Sequence, residues 1–344
     1  MAQNKKLILT AGPSITNLEK KYVNDAVSNG WNENFNGYLI KLENTFKKFF
    51  KMKYALPTSS CTGALHLILL GLGIKKGDEV IVPDMTWVAT ASVVKYVGAN
   101  PVFVDIDKDT WTMCPESLKK KITSKTKVII PVHLYGHPCK MDEIMKIANK
   151  NKIYVVEDAA PAIGAKFKNK LVGTFGVASA FSFQGAKLVV AGEGGIILTS
   201  NLNLFKKIKQ LAAHGRANKK NKSTFWIEKV GYKYAMSNIQ AALCLAQVKR
   251  IKELIAKRRK IFKWYSFYLK KFDNIQLNEE VYPAKSIYWM TSIFIKDSKK
   301  RVKAEYLSKK LKEKFIDTRP VFPSISTYPM WKSKNNFFSK ELSK

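Results

Sequence analysis

Arginine, histidine, cysteine and acidic residues are all scarce in this chain, and long apolar runs are missing. The four cysteines (Cys61, Cys114, Cys139, Cys244) and four histidines are spread over 344 residues in no metal-ligand spacing, so the expectation is no metal and no disulfide framework, with thiols kept reduced. No run reaches the roughly 18 apolar residues that span a bilayer, and MAQNKKLILTAGP contains no signal-peptide core. These absences lead to the expectation of a cytoplasmic protein without membrane segments. Only 26 acidic residues face 60 basic ones, for a net charge of +34. Such a surface attracts phosphate polymers, but six of the 60 are Arg and the rest are Lys. Arg supplies the forked phosphate and base contacts, and the lysines are scattered along the chain. A nucleic-acid partner is therefore not expected. A compositional bias towards Lys accounts for the charge, which also favours anionic small-molecule substrates.

Hydrophobic residues, at 46% of the chain, are enough to build a large core. Helical spacing of apolar positions predicts helices over Asn17–Ser28, with Thr16 or Asn17 as cap, and over Tyr38–Lys51. From residue 50 to 200, short apolar runs alternate with helical patterns. Strands are expected at Tyr54–Leu56, Val80–Val82, 101–107, Lys127–His133, Ile153–Val156, Ala178–Phe183 and Ile196–Thr199. Helices are expected at Ala64–Leu72, Thr90–Val97, Asp142–Lys150 and Leu202–Leu211. That alternation implies an α/β fold with a large, mostly parallel, doubly wound sheet. A single long helix is expected from Ile239 to Leu269, then a strand near Trp289–Ile295 and a helix near Ala304–Lys314. We place a large domain at 1–245 and a small α+β domain at 246–344.

Ligands of open α/β sheets lie beyond the carboxyl ends of the strands, so the residues there carry the functional reading. Thr58-Ser59-Ser60-Cys61-Thr62-Gly63 ends one strand and opens a helix, where hydroxyls cap free N–H groups and an anion can bind. Trp87 follows a second strand. Glu157 and Asp158 end a third, and Lys187, in Gln-Gly-Ala-Lys, follows a fourth. An anion cup, an aromatic, an acid and a lysine at neighbouring strand ends are what pyridoxal phosphate requires. The lysine forms the Schiff base with its aldehyde, and the acid keeps the pyridine nitrogen protonated so that the ring is an electron sink. The aromatic stacks on the ring, and the helix terminus takes the phosphate.

The stretches EDAAPAIGA, GTFGVASAFSFQGAK and GEGGIILTSN resemble the DegT/DnrJ/EryC1/StrS family of sugar aminotransferases, and the likeness runs from about Asn17 to Pro329. VHLYGHPCKM and DTRPVF are most similar to its branch that makes 4-amino-4,6-dideoxyhexoses of the perosamine or viosamine type. The resemblance implies the aspartate-aminotransferase fold (fold type I) with pyridoxal 5'-phosphate as cofactor. It implies Lys187 as the catalytic, cofactor-bearing lysine and Asp158 as partner of the pyridine nitrogen. Trp87 is then the stacking aromatic, with Cys61, Thr62 and Ser182 at the phosphate. The implied reaction moves an amino group from glutamate to C4 of a nucleotide-linked 4-keto-6-deoxyhexose, for glycan biosynthesis. The implied assembly is a homodimer with shared active sites, the loop before Ser237 reaching into the partner's site. Arg319 is a candidate for the donor carboxylate or the substrate diphosphate, or for pairing with a structural carboxylate.

Three departures from the family pattern stand out. Pro161 occupies a position that commonly holds Gln or Glu. In GYKYAM, Lys233 replaces an Asn that reaches the partner's phosphate, and Ala235 replaces an Arg. The final strand and helix of the family pattern have no counterpart before Lys344, so the small domain is expected to be abbreviated. The alternatives are a 3-aminotransferase acting on a 3-keto nucleotide sugar and a non-catalytic regulator on the same fold. A dehydratase with His in place of the lysine is opposed by Lys187 itself.

Overall fold

The first helix, α1 (Asn17–Asn29), begins from a reciprocal cap. The Thr16 hydroxyl accepts from the Leu18 amide, and the Glu19 carboxylate takes the Thr16 N–H at 2.7 Å, satisfying donors that a helix start leaves open. The computed structural model describes residues 6–216, 226–296, 304–331, 335 and 337–342. Part of the polar stretch before Ser237, residues 217–225, lies outside the described residues.

After α2 (Gly37–Phe50), strands and helices alternate through β1 (Tyr54–Thr58), α3 (Cys61–Gly71), β2 (Glu79–Pro83), α4 (Ala89–Tyr96), β3 (Asn100–Val104), α5 (Pro115–Lys121), β4 (Thr126–Ile129), α6 (Met141–Lys150) and β5 (Tyr154–Asp158). The small hairpin β6 (Lys166–Phe167) and β7 (Lys170–Leu171) precedes β8 (Ala178–Ser182), β9 (Gly195–Thr199) and α7 (Leu202–Ala212). Seven strands form one sheet in the order β1-β9-β8-β5-β4-β2-β3, in which β9 alone runs against its neighbours. The mixed, mostly parallel sheet expected from the alternation is present.

Side chains on a strand alternate between faces, and the core divides accordingly. Val80, Val82, Val156, Ala180 and Ile197 pack with α3, α4 and α7, while Ile81, Val155, Phe181, Ile196 and Leu198 face the opposite layer, with α2, α6 and α8. This parity fixes the geometry of the two adjacent carboxylates. Asp158 shares the α3/α4 side with Val156, and Glu157 is sent to the other side with Val155.

The chain continues through α8 (Asn238–Lys249), α9 (Ile251–Leu269), β10 (Ile275–Leu277), β11 (Ala284–Lys285), β12 (Ile293–Ile295), α10 (Ala304–Glu313) and α11 (Phe338–Leu342). β10 and β12 pair antiparallel, and β11 joins the β6–β7 hairpin. The single helix expected over Ile239–Leu269 is in fact two. At Arg250 (φ −98°, ψ 7°) the backbone leaves helical geometry, where its guanidinium is held by the Ser14 carbonyl at 2.8 Å, Glu19 at 2.6 Å and Glu253 at 3.0 Å. Apolar periodicity carries no trace of such distant partners. The expected division at 245/246 falls inside α8, and the last described segment returns to the large sheet. There Ser326 N–H and Ser339 Oγ donate to buried Asp84, at 2.8 and 2.6 Å, and the Ser324 hydroxyl donates to it as well. Asp105 accepts from the Phe338 amide at 2.8 Å.

Burial alone would raise the Glu19 carboxyl, but bonds from the Thr16 hydroxyl and Arg250 outweigh it and hold its pKa at about 2 against an ordinary 4.5. A depressed carboxylate contributes stability that is complete above the ordinary pKa and is lost as pH falls through the folded one. Glu19→Gln, which leaves Arg250 paired with the more exposed Glu253, is expected to cost about 2 kcal/mol in denaturant unfolding at pH 7. The difference between the two proteins should shrink as pH falls from 4.5 towards 2.

Candidate active site

The carboxyl edge of the sheet gathers the residues singled out in the sequence. Register pairs Thr58 with Gly195 and Gly195 with Ser182, and sets Asp158 beside Ala180. The ends of β1, β8 and β5 therefore meet at one place, and α3 starts directly above it. Ser60 caps α3 by accepting the Gly63 amide at 3.0 Å. The first-turn amides of Cys61 and Thr62 have no intrahelical acceptor and sit at the positive end of the helix dipole. A Cβ built on Gly195 would lie 2.7 Å from the Cys61 nitrogen and 2.8 Å from the Phe181 oxygen. Only glycine lets β9 pass this close beneath the α3 terminus.

Asp158 is 5% exposed. Its Oδ2 accepts from Thr90 Oγ1 at 2.8 Å and its Oδ1 from the Ala160 amide at 3.1 Å. Burial pushes its carboxyl up, while those two donors and the charge of Lys187 pull it down. Glu157 is spent on structure. It accepts the amides of Gly173, Phe175 and Gly176 at 2.6–2.8 Å and pairs with His133 at 3.1 Å. The Cys139 amide donates to His133 Nδ1 at 3.1 Å, so that nitrogen carries no proton and Nε2–H donates to Glu157.

Lys187 projects from the loop between β8 and β9, held by Lys187 N–H to the Gln184 carbonyl and Gly185 N–H to the Gly192 carbonyl, each at 2.8 Å. Burial lowers its amine pKa, and Asp158 and Cys61 partly offset that. Burial also raises the Cys61 thiol, with Asp158 adding to the effect. Lys187, Asp158 and Cys61 thus share one electrostatic site. Trp87 is 60% exposed, its ring 6.0 Å from that of Phe322. Ser182 is buried at the strand end, within 3.4 Å of the Gln184 amide. Lys233 is exposed on a segment that runs beside the α3 terminus, where the Ser59 amide donates to the Tyr234 carbonyl at 2.8 Å and Ala235 bridges to Thr58. Arg319 is 73% exposed with its Nε 3.8 Å from Asp317, and Pro161 is buried just after Asp158.

The residues at this edge suit a flat phosphorylated cation. The first-turn amides of α3 would take the phosphate, and a buried carboxylate with two donors and, among the described residues, no ion pair would meet a positive ring nitrogen. The DegT/DnrJ/EryC1/StrS aminotransferase profile matches residues 13–343. The chain belongs to that family. Within the DegT/DnrJ/EryC1/StrS aminotransferases it is 41% identical to the GDP-perosamine synthase of Escherichia coli O157:H7, covering 96% of this chain and 88% of that one. Identity to the GDP-perosamine synthase of Vibrio cholerae is 36%, over 93% and 86% of the two chains. Among solved structures, a sugar aminotransferase of Streptococcus pneumoniae in its PLP form superposes with a TM-score of 0.90 at 27% identity, covering 98% of this chain and 92% of that chain. The aminotransferase from Psychrobacter cryohalolentis gives 0.89 at 28%, covering 96% and 90%. The protein is thus an aminotransferase of fold type I that uses pyridoxal phosphate.

Sequence reasoning missed Thr90. It lies one helical turn beyond Trp87, so the spacing that marked Trp87 could have drawn it in. It also passed over Asp84, which directly follows β2 as Asp158 ends β5 but is consumed by the returning serines. Thr90→Val leaves the Asp158 carboxylate with one donor. We expect pyridoxal phosphate to bind about tenfold more weakly in an absorbance titration, with the unfolding midpoint close to wild type. Unchanged affinity in the folded variant would contradict this account of Asp158.

Proposed function

We propose that the protein transfers the amino group of glutamate to C4 of a GDP-linked 4-keto-6-deoxyhexose, giving a 4-amino-4,6-dideoxyhexose of the perosamine type for glycan biosynthesis. The observation that carries this reading is the convergence of Lys187, Asp158 and the α3 terminus at one sheet edge. It is joined by 41% and 36% identity to two GDP-perosamine synthases over nearly the whole chain.

Pyridoxal phosphate, when bound, supplies an aldehyde carbon that takes up the amine and a ring that accepts the electron pair released at Cα. The Cys61 and Thr62 amides and the Ser182 hydroxyl would bind its phosphate. Asp158, drawn into the charged form by a positive ring nitrogen, would hold the proton there. Trp87, exposed at this edge, would stack on the ring and keep water from that face. Lys187 would hold the cofactor's aldehyde and serve as the proton carrier. Its amine, biased to the neutral form by burial, would be the base for the donor Cα proton and, once charged, the acid that gives it up. The same amine would serve in the opposite direction with the keto sugar. The exposed Lys233 reaches towards the second subunit of a homodimer, where it replaces a neutral phosphate contact by a point charge. Arg319, exposed and only loosely paired with Asp317, remains free to meet a carboxylate or diphosphate.

The test is amination of GDP-, UDP- and dTDP-linked 4-keto-6-deoxyhexoses with glutamate, read by mass spectrometry and by NMR of the product. The GDP sugar should gain an amine at C4, and Lys187→Ala should lose roughly 10²–10⁴-fold in rate. An amine at C3, or a Lys187→Ala variant of undiminished rate, would overturn the assignment.

A further inference from the structure

The Lys187 side chain faces an aromatic surface. Its Nζ lies 4.0 Å from the centre of the Trp289 ring, and among the described residues no carboxylate comes within ion-pair distance of it. Trp289 is 4% exposed and fixed on two sides. Its indole N–H donates to the Ala186 carbonyl at 2.7 Å, one residue before the lysine. Its ring also stacks on Tyr135 at 6.3 Å and 23°. Tyr135 in turn stacks on Phe322 at 5.7 Å and 4°, and accepts the Phe322 amide at its hydroxyl at 3.2 Å. Neither the family profile nor the relatives' descriptions assign this tryptophan a part.

We propose that Trp289 is a positioning residue for Lys187, its ring being the surface on which the amine rests whenever it is detached from the cofactor, and its indole N–H the tether of the loop that carries the lysine. The inference rests on the reading of Lys187 as the proton carrier. A carrier of this kind must be a fair base and a fair acid in turn, and two groups bear on that balance besides the ring. Asp158 on β5 and Cys61 on α3 both favour the ammonium, while burial disfavours it. A second carboxylate in contact would pin the ammonium in place. An indole face attracts the cation by its quadrupole yet cannot take its proton, so the amine stays free to turn to the reacting carbons. The tether acts separately, by limiting how far the loop swings when the covalent link is broken.

The experiment is pH-dependent acetylation of the cofactor-stripped full chain, with the extent of labelling at Lys187 read by peptide mass spectrometry. Trp289→Leu removes face and tether, and Trp289→Phe keeps a weaker face without the tether. The Lys187 labelling midpoint should fall by about one pH unit in Trp289→Leu and by less in Trp289→Phe. The plateau rate should rise in both, and surface lysines such as Lys260 should label as before. If Trp289→Leu does not fold, Trp289→Phe decides alone. A midpoint and rate equal to wild type in the folded variants overturn the proposal. A parallel cofactor titration keeps the two readings apart. A wild-type absorbance band that Lys187→Ala abolishes supports the proton carrier whatever Trp289 does, and its absence from wild type removes that foundation.

Discussion

A carboxylate buried at the end of β5 with two hydrogen-bond donors and, among the described residues, no ion pair is the constraint around which this molecule is arranged. Such a group is costly unless something positive meets it. Thr90 on α4, the Ala160 amide and the neighbouring Lys187 lower that cost without removing it. A cationic ring nitrogen would lower it further. β9 passes beneath the α3 terminus only because residue 195 lacks a Cβ, and that passage brings the first-turn amides of α3 to the strand ends that carry Asp158 and Ser182.

Strand parity does as much as proximity. Glu157 and Asp158 are chemically alike and adjacent, yet alternation sends one to each face. Glu157 becomes the anchor of the 173–176 turn and of His133, and Asp158 faces Thr90 at the candidate site. The same edge shows the opposite outcome at Asp84, where Ser324, Ser326 and Ser339 satisfy the carboxylate and lock the returning C-terminal segment in place. That segment carries Phe322, which joins Tyr135 and Trp289 in an aromatic column running from Trp87 to the space beside Lys187. The returning C-terminal segment thereby packs into the same aromatic column as the ring that lies against Lys187.

Much of this was legible in the sequence because short-range rules govern it. Short continuous apolar runs located all seven strands of the main sheet, and the rule that ligands lie past strand ends picked out Thr62, Trp87, Asp158 and Lys187. What was hidden depends on partners distant in the chain. The break at Arg250 coincides with bonds to Ser14 and Glu19, which no periodicity near residue 250 reveals. Trp289 was read into a strand that begins only at Ile293, and its place beneath Lys187 exists only after the chain has folded back. The strand-end rule also has no means of telling Asp84 from Asp158, because what separates them is whether serines arrive later.

The central claim is that one lysine among the 54 in this chain bears the cofactor. Borohydride reduction of the protein loaded with pyridoxal phosphate, followed by peptide mass spectrometry, tests it most directly. The account predicts the reduced cofactor on Lys187 in the great majority of molecules. Attachment spread over surface lysines, or its absence from the Lys187 peptide, would contradict it.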